Sequence, residues 1–202
     1  AGYTTPTRIQ ALAIPAIMAG GDIIAQAQTG SGKTVAYALP CLKAIVKGKG
    51  TQVLVLVPTR ELALQVAGEL SRFSRHLGIN VATAFGGEPV SRQLPALLRG
   101  AEAVVATPGR LLDYLSSRRL PRFAPTTLIL DEADEMLAMG FVDDVRAIAG
   151  HLPAPRRTLL FSATMPSAVT RLARDITKDA VRIGDDQAQA TPRLIDQTFY
   201  VV

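Results

Sequence analysis

The stretch from Ala27 to Thr34, with the sequence Ala-Gln-Thr-Gly-Ser-Gly-Lys-Thr, constrains this chain more than any other. An apolar segment with the composition of a strand precedes it over residues 22–26, and residues 35–46 after it are predicted to form a helix. A glycine-rich turn between a strand and a helix is typical of a phosphate-binding loop. Ala27 replaces the first glycine of the usual pattern and is small enough to keep the turn. The alternative is an ordinary turn before a helix, which the Gly-Lys-Thr ending disfavours.

The residues of this loop suit the phosphates of a nucleotide. Glycines allow backbone N–H groups to face inward around an anion, and the N-terminus of the following helix adds a favourable dipole. The ammonium group of Lys33 can reach the β- and γ-phosphates, and the Thr34 hydroxyl can bind Mg²⁺. We therefore predict a site for a nucleoside triphosphate and Mg²⁺ that is formed by Thr29, Gly30, Ser31, Gly32, Lys33 and Thr34.

Segments typical of strands and of helices alternate along the rest of the chain. The apolar run from Gln52 to Val57 is rich in β-branched residues, which indicates a strand buried on both faces. Further strands, with helices between them, are predicted at residues 80–84, 103–106, 127–130, 158–161 and 180–183. A helix is predicted to open at Pro6 and to continue through Ile17, and another is predicted over residues 142–151. This alternation favours an α/β fold, in which a parallel β-sheet is flanked by helices on both faces. Residues 1–184 would form this domain, and residues 185–202 are predicted to be a linker and the start of a second domain.

Composition and charge limit the classes of partner. The single cysteine, Cys41, excludes an intrachain disulfide and a cysteine-based zinc cluster, and it is expected to pack inside the helix after the loop. The net charge of +5 permits binding to a polyanion without proving it, because a solvated basic surface has the same balance. No apolar run approaches the length that spans a membrane, so no membrane partner is expected.

Short polar or glycine-rich motifs follow the predicted strands. In a parallel sheet with helices on both faces, ligands bind outside the carboxyl ends of the strands. All of these motifs are therefore expected at one edge of the sheet, where they would form a single surface. They occupy residues 27–34, 58–62, 86–87, 107–110, 131–134 and 162–164.

Two acidic residues follow the apolar strand predicted at residues 127–130. Asp131 stands where an aspartate that holds Mg²⁺ belongs, opposite Thr34. Glu132 could orient or deprotonate the water that attacks the γ-phosphate. We therefore predict Lys33, Asp131 and Glu132 as catalytic residues, and Thr34 and Asp131 as the metal site. The alternative is that the acidic residues only cap a helix, which the phosphate-binding loop elsewhere in the chain disfavours.

In their order along the chain, these motifs resemble those of the first RecA-like domain of DEAD-box RNA helicases, and the resemblance covers nearly the whole length. Besides the phosphate-binding loop, it is carried by Pro-Thr-Arg-Glu-Leu, Gly-Gly, Thr-Pro-Gly-Arg, Asp-Glu-Ala-Asp and Ser-Ala-Thr. An additional motif, Gly-Tyr-Thr-Thr-Pro-Thr-Arg-Ile-Gln, occupies residues 2–10. The resemblance implies a RecA-like P-loop NTPase fold and an ATP-dependent RNA helicase that uses ATP and Mg²⁺.

The resemblance also implies roles for individual residues. Gln10 would read the edge of adenine, since an amide can both donate and accept there, which favours ATP over GTP. Ser162 and Thr164 would hydrogen-bond towards Asp134 and couple the nucleotide state to domain closure. Exposed N–H groups, hydroxyls and guanidinium groups suit phosphates and carry no base information. Contacts with the RNA backbone would come from Pro58, Thr59, Arg60, Gly87, Thr107, Gly109 and Arg110.

The family pattern also contains parts that this sequence does not. Family members carry an aromatic residue upstream of Gln10 that stacks on adenine, and a second RecA-like domain that supplies arginine fingers. RNA and this second domain are the expected partners, and the cytoplasm is the expected location. The chain alone would bind ATP or ADP but would hydrolyse ATP poorly, since an arginine finger supplies a large part of the rate.

Two alternatives remain open at this point. A DNA helicase or translocase of the same superfamily would share most of the motifs, although the Asp-Glu-Ala-Asp spelling and the motif at residues 2–10 favour RNA. A non-catalytic RNA-binding module with a relic nucleotide site is disfavoured, because Lys33, Thr34, Asp131 and Glu132 are all present.

Overall fold

The computed structural model describes residues 4–184, which contain seven strands and eight helices. The predicted linker and start of a second domain at residues 185–202 lie outside the described residues, as do Gly2 and Tyr3 of the N-terminal motif. The strands are β1 Ile23–Gln26, β2 Val53–Leu56, β3 Val81–Ala84, β4 Ala103–Ala106, β5 Thr127–Leu130, β6 Arg157–Ser162 and β7 Val181–Gly184. The helices are α1 Arg8–Ala19, α2 Lys33–Ala44, α3 Arg60–Ser74, α4 Val90–Leu98, α5 Pro108–Ser116, α6 Ala133–Ala138, α7 Val142–His151 and α8 Ser167–Ile176.

The strands form one sheet in the order β3-β4-β2-β5-β6-β1-β7, and every neighbouring pair is parallel. Strand β2 lies near the middle, where Leu54 pairs with Val104 on one side and Leu128 on the other. All four of its residues are buried, as expected for a strand that is covered by helices on both faces. The predicted parallel α/β fold is confirmed.

A separate apolar core lies on each face of the sheet. Side chains alternate along a strand, so Val53 and Val55 join the core beneath α1, α2 and α3. Leu54 and Leu56 join the opposite core, to which helices α4 to α8 contribute. Burying one Val or Leu side chain contributes roughly 1.5–3 kcal/mol, so these two cores hold the strand ends, and the loops that follow them, in fixed positions.

The helices begin where capping groups are available. Helix α1 starts at Arg8 and not at Pro6 as predicted, because Thr7 is its N-cap residue and the Thr7 N–H is bonded to Oε1 of Gln10 at 3.0 Å. Two helices, α6 and α7, occupy the region after the acidic motif, where the sequence predicted one over residues 142–151. Within residues 4–184, no helix combines the length and the apolar character that a membrane crossing requires.

The chain's single cysteine, Cys41, is buried within α2. Its side chain is 2% exposed, and Nη2 of Arg157 donates to the sulfur at 3.7 Å. Burial raises the pKa of the Cys41 thiol to about 11, although the positive charge of Arg157 acts in the opposite direction. At neutral pH the side chain is therefore a protonated, packed thiol.

Candidate functional site

The predicted motifs lie at the carboxyl edge of the sheet in two groups. Strands β5, β6 and β1 are neighbours, so the loops that follow them bring the predicted nucleotide-binding and coupling residues together. Strands β3, β4 and β2 are also neighbours, and the loops that follow them carry the predicted RNA-binding residues. The two groups meet where β2 pairs with β5. The edge is therefore divided into a nucleotide half and a half that contains the other motifs.

The phosphate-binding loop joins β1 to α2 and is fixed at both ends. Ala27 is fully buried and donates its N–H to the Ser162 carbonyl at 2.9 Å. At the other end, the Gly32 carbonyl accepts the N–H of Ala36 at 3.1 Å and so begins α2. Gly30 and Gly32 have φ angles of +80° and +92°, in the left-handed region that glycine adopts without strain. The turn therefore depends on glycine at both positions.

Buried polar atoms without a partner surround this loop. Within residues 4–184, the Lys33 ammonium nitrogen, the Ser31 hydroxyl and Oδ1 of Asp131 make no hydrogen bond. Lys33 is 5% exposed and Asp131 is 2% exposed, and both line a cavity of about 440 Å³. Buried polar groups are costly unless they are hydrogen-bonded. These atoms are therefore suited to the charged oxygens and the metal ion of a bound nucleotide.

Tyr37 fixes the orientation of the Asp131 carboxylate. Its hydroxyl donates to Oδ2 of Asp131 at 2.8 Å, and its buried ring lies 5.3 Å from the ring of Phe161. Burial raises the pKa of Asp131, and the positive charge of Lys33 and the hydrogen bond from Tyr37 offset this only in part. Burial and the negative charge of Asp131 raise the pKa of Tyr37 well above its usual value, so the phenol stays a proton donor.

Glu132 lies opposite the phosphate-binding loop. It has φ +55° and ψ +52°, a left-handed conformation that costs a residue other than glycine roughly 1–3 kcal/mol. Its Oε1 accepts a long hydrogen bond from the Thr29 hydroxyl at 3.4 Å, and it lines the same cavity as Thr34 and Asp131. A strained backbone at this position places a second carboxylate beside the first, at the side of the cavity that faces the loop.

Gln10 joins α1 to the phosphate-binding loop. Its side chain is 5% exposed, and Nε2 donates to the Gly32 carbonyl at 3.3 Å while Oε1 accepts the Thr7 N–H at 3.0 Å. A Cβ atom at Gly32 would collide with this amide. Gln10 also lines the nucleotide cavity. Its contact with adenine stays a prediction.

The predicted coupling residues form a hydrogen-bonded cluster between β5 and β6. Thr164 donates both its N–H and its hydroxyl to Oδ2 of Asp134, at 2.9 and 2.8 Å. The fully buried Ser162 hydroxyl accepts the Asp134 N–H at 3.1 Å and donates to the Thr164 carbonyl at 2.8 Å. Burial would raise the pKa of Asp134, but the hydrogen bonds from Thr164 and Ser162 outweigh it and lower the pKa. The hydrogen bonds are present as predicted, while the coupling role stays a prediction.

The motifs after β2 and β3 face each other across the other half of the edge. Thr59 is the N-cap of α3, and its hydroxyl accepts a backbone N–H of the first turn at 3.2 Å. The exposed guanidinium of Arg60 lies 5.3 Å from the centroid of the Phe85 ring. A Cβ at Gly87, which has φ +80°, would lie 3.2 Å from Nη1 of Arg60, so the guanidinium and the Gly-Gly turn are adjacent. Pro58 is buried where β2 ends.

The motif after β4 begins α5. Thr107 is the N-cap residue and Gly109 is exposed in the first turn. Arg110 is held by two hydrogen bonds, since its Nη1 donates to the Glu88 carbonyl at 2.9 Å and to the Tyr114 hydroxyl at 3.3 Å. The structure therefore brings all three of these motifs to one surface, and their contacts with RNA stay a prediction.

Two polar residues that contribute to the nucleotide site, Glu69 and Tyr37, were not singled out from the sequence. Glu69 of α3 lines the cavity, and its Oε2 is buried without a partner among the described residues. Tyr37, described above, is the other. Helical spacing was the available signal, because Tyr37 lies four residues after Lys33, and Glu69 shares a face of α3 with Leu62 and Gln65.

Comparison with known proteins gives matches along most of the chain. A family model described as DEAD/DEAH box helicase matches residues 7–172. The DEAD-box ATP-dependent RNA helicase RhpA of Helicobacter pylori strain B128 is 43% identical over 202 residues, which is 100% of this chain and 41% of that protein. The chain thus spans less than half the length of this curated relative.

Two solved structures have the same fold. A crystal structure of a hypothetical ATP-dependent RNA helicase from Sulfolobus tokodaii gives a TM-score of 0.84 at 38% identity, over 91% of this chain and 54% of that one. A crystal structure of a DEAD box protein from the hyperthermophile Methanococcus jannaschii gives 0.86 at 40% identity, over 90% and 50%. In both cases the matching region is about half of the solved chain.

Proposed function

Because this chain belongs to the DEAD/DEAH box helicase family and has its RecA-like fold, we propose that it is the nucleotide-binding half of an ATP-dependent RNA helicase core. In this proposal it binds ATP with Mg²⁺ and also binds the RNA backbone. It hydrolyses ATP together with a second RecA-like domain of the full-length protein, and the ATP cycle drives separation or remodelling of RNA duplexes. A cytoplasmic location is part of the same proposal.

The observation that carries the proposal is the set of buried, unpaired polar atoms beside the glycine-rich loop. Lys33 and Asp131 carry opposite charges on one cavity, and the Lys33 ammonium and Oδ1 of Asp131 have no partner among the described residues. A triphosphate with its metal ion would satisfy both, since the phosphates attract the ammonium and the metal ion attracts the carboxylate. The positive φ angles of Gly30 and Gly32 would let the loop turn backbone N–H groups towards the same phosphates.

Mg²⁺ suits the residues at this site. Within residues 4–184, no three His, Cys, Asp or Glu side chains form a metal-binding group. Mg²⁺ needs no such group when phosphate oxygens and water supply most of its ligands, as is usual in nucleotide sites. Thr34 and Asp131 would hold the ion, which would neutralise charge on the β- and γ-phosphates.

Two side chains, Lys33 and Glu132, would then act on the nucleotide and the attacking water, and Tyr37 would support them through Asp131. Lys33 would hold the β- and γ-phosphates through its ammonium group, and Tyr37 would keep Asp131 in position through the hydrogen bond of 2.8 Å. Glu132 would orient the attacking water and accept its proton, because its carboxylate lies on the cavity beside Asp131. The half-buried position of Glu132 leaves it open to solvent, from which that water enters.

Binding of a fluorescent ATP analogue to the 202-residue chain with Mg²⁺ tests the nucleotide site. Lys33→Gln is expected to weaken affinity by about tenfold or more, since a charged hydrogen bond contributes about 1.5–3 kcal/mol. Lys43→Gln is the matched control, because Lys43 is an exposed lysine at the other end of the same helix and should leave affinity unchanged. Equal affinities for wild type and Lys33→Gln would overturn the nucleotide site.

The nucleic-acid substrate is tested in the full-length protein. RNA and DNA of the same sequence and length are compared for their stimulation of ATP hydrolysis. Stimulation by RNA alone supports the proposal, while equal or greater stimulation by DNA would favour a DNA helicase or translocase. Glu132→Gln then separates an enzyme from a binding module, because the enzyme should keep ATP affinity and lose hydrolysis.

A further inference from the structure

A second cavity, of about 580 Å³, opens at the opposite edge of the sheet. It is lined by Thr51, Asn80 and Glu102, which lie one or two residues before β2, β3 and β4, and by residues 120–123. Because all strands are parallel, this is the amino edge, and the nucleotide cavity lies at the carboxyl edge. The second cavity is therefore separate from the proposed ATP site and from the motifs assigned to RNA.

The charge of this cavity is strongly positive. Its lining contains four basic residues, Lys47, Lys49, Arg99 and Arg122, and none of them forms an ion pair within the part of the chain that the structure describes. The acidic residue among the lining side chains is Glu102. The positive charge is thus concentrated in one concave surface.

Glu102 forms no ion pair with these cations, because both of its carboxylate oxygens already accept hydrogen bonds from other groups. The side chain is 2% exposed, and Oε1 accepts the Gly48 N–H at 2.9 Å. Oε2 accepts the N–H and the side-chain amide of Asn80, at 2.8 and 3.1 Å. Glu102 holds the cavity wall together through these bonds, and the four basic side chains remain available to an anion from outside.

Helix dipoles do not account for this cluster. Basic residues are favoured in the last turn of a helix, and Arg99 is the C-cap residue of α4. Lys47 and Lys49, however, lie in the turn beyond Ala44, where α2 ends, and Arg122 lies well beyond the end of α5. A dipole acts only within the last turn, so three of the four cations have no such partner.

The floor of the cavity is apolar. Leu97 and Leu120 are 4% and 8% exposed, and the ring of Phe123 packs against the same core. A basic rim over an apolar floor that includes an aromatic ring suits phosphates together with the flat, uncharged part of a base or ribose. A membrane surface is disfavoured, because a flat bilayer cannot enter a concave site.

We propose that this amino-edge cavity binds a segment of RNA, separately from the carboxyl edge that contains the ATP site. The phosphates would contact Lys47, Lys49, Arg99 and Arg122, and a base or ribose would rest on the apolar floor. The proposal goes beyond the helicase function, since it adds a second contact for the same class of ligand on the other side of the sheet.

The test measures binding of a fluorescent single-stranded RNA to the nucleotide-free 202-residue chain by anisotropy, over a series of KCl concentrations. The double variant Lys49→Gln/Arg122→Gln removes two cations from the cavity. Each phosphate contact on single strands contributes about 0.7 to the slope of log affinity against log salt, so the slope should become shallower by about 1.4. The affinity near 0.1 M salt should fall by about tenfold.

The matched control is Arg171→Gln/Arg174→Gln, which changes the net charge equally on exposed positions of α8. It should leave both the slope and the affinity close to wild type. Equal effects of the two double variants would show that RNA affinity depends on net charge alone, which would overturn the cavity site. Unchanged RNA binding by Lys49→Gln/Arg122→Gln would also overturn it. Unchanged binding of the fluorescent ATP analogue checks that each variant is folded.

Two further arms separate this proposal from its rivals. Arg60→Gln removes a cation from the carboxyl edge, and its RNA affinity is measured in the same way. The result for this variant tests the RNA contacts proposed at the carboxyl edge, and the result for Lys49→Gln/Arg122→Gln tests the amino-edge cavity independently. Polyglutamate of the same charge as the RNA is added as a competitor. If it displaces RNA from the wild-type chain as effectively as unlabelled RNA, the cavity binds acidic polypeptides and the RNA proposal is overturned; weak competition supports RNA.

Discussion

Tyr37 shows how one uncharged side chain can prepare a site for a cation. Its hydroxyl occupies Oδ2 of Asp131 and leaves Oδ1 without a partner on the nucleotide cavity. The Tyr37 ring is fully buried and packs against Phe161, so the position of its hydroxyl is fixed. Asp131 is therefore held in one orientation before any ligand arrives.

Tyr37→Phe keeps the ring and removes this hydrogen bond. We expect the Mg²⁺-dependent part of nucleotide affinity to fall several-fold, because the hydrogen bond that orients Asp131 is lost and its carboxylate is free to rotate. The measurement is a titration of the fluorescent ATP analogue at increasing Mg²⁺, with a second titration in EDTA. Affinity without Mg²⁺ should hardly change.

Tyr114→Phe is the control for this prediction, because it also removes a buried tyrosine hydroxyl, one that bonds to Gln93 far from the nucleotide cavity. It should lower the free energy of unfolding by about 1 kcal/mol without changing the Mg²⁺ dependence. An identical Mg²⁺ titration for Tyr37→Phe and wild type would contradict the positioning role.

Glu102 makes stability depend on pH. Burial alone would raise its pKa, but hydrogen bonds from Gly48 and Asn80 outweigh burial and hold the pKa below the usual value of 4.5. A carboxyl whose pKa is lower in the folded state stabilises the fold above its unfolded pKa, and this stabilisation is lost as the pH falls through the folded value.

Glu102→Gln should therefore lower the free energy of unfolding by about 1–3 kcal/mol at pH 7. The gap to wild type should narrow as the pH is lowered below 4.5, because the wild-type carboxyl then takes up a proton. Urea unfolding at several pH values measures both quantities. A gap that stays constant with pH would show that shape, and not charge, is what Glu102 contributes.

At the scale of elements, the contact between the phosphate-binding loop and α1 requires that Gly32 has no side chain. Gly30 and Gly32 both have positive φ angles, yet a Cβ at Gly30 would meet open space, whereas one at Gly32 would meet the Gln10 amide. Both positions require a left-handed backbone, but only Gly32 lies against another side chain. The two glycines therefore form a matched pair.

Gly32→Ala should weaken nucleotide affinity and lower the free energy of unfolding more than Gly30→Ala does. Both variants acquire a left-handed alanine, which costs about 1–2 kcal/mol, but only Gly32→Ala also displaces Gln10 and separates α1 from the loop. Thermal unfolding and nucleotide binding of both variants provide the comparison. Equal losses for the two would indicate that backbone strain alone matters.

Element types and the position of the nucleotide site could be predicted from local sequence patterns. The β-branched run of β2 and the glycines of the loop each determine their own conformation, and parallel strands place the motifs after them at one edge. The start of α1 was missed because it depends on the hydrogen bond between Thr7 and Gln10. The contact of Tyr37 with Asp131 joins residues that are 94 positions apart, which no local pattern reports.

At the scale of the whole molecule, the strand order is the property that sequence patterns could not supply. It arises from packing between distant segments, and it places β5, β6 and β1 on one side and β3, β4 and β2 on the other. The nucleotide motifs are therefore neighbours in space, although β2, β3 and β4 lie between them in the sequence. The pairing of β2 with β5 connects the two halves, and the Asp134 cluster joins the ends of β5 and β6 on the nucleotide side of this pairing.

The chain by itself is expected to bind nucleotide but to turn it over slowly. In the proposed function, a second RecA-like domain supplies an arginine to the γ-phosphate, which is worth about 10³–10⁵ in rate in related systems. Phosphate release with and without RNA, compared between the 202-residue chain and the full-length protein, measures this. RNA-stimulated turnover by the chain at the full-length rate would contradict the prediction.

The buried Cys41 makes this protein convenient for site-specific labelling. With a pKa of about 11, the thiol is almost entirely protonated at pH 7, and its 2% exposure keeps maleimide reagents away. A cysteine introduced on the surface would then be the reactive one, with no need to replace Cys41 and disturb α2. A fluorophore attached at Leu98, which is 56% exposed and lines the amino-edge cavity, would report on that edge while a nucleotide analogue reports on the other.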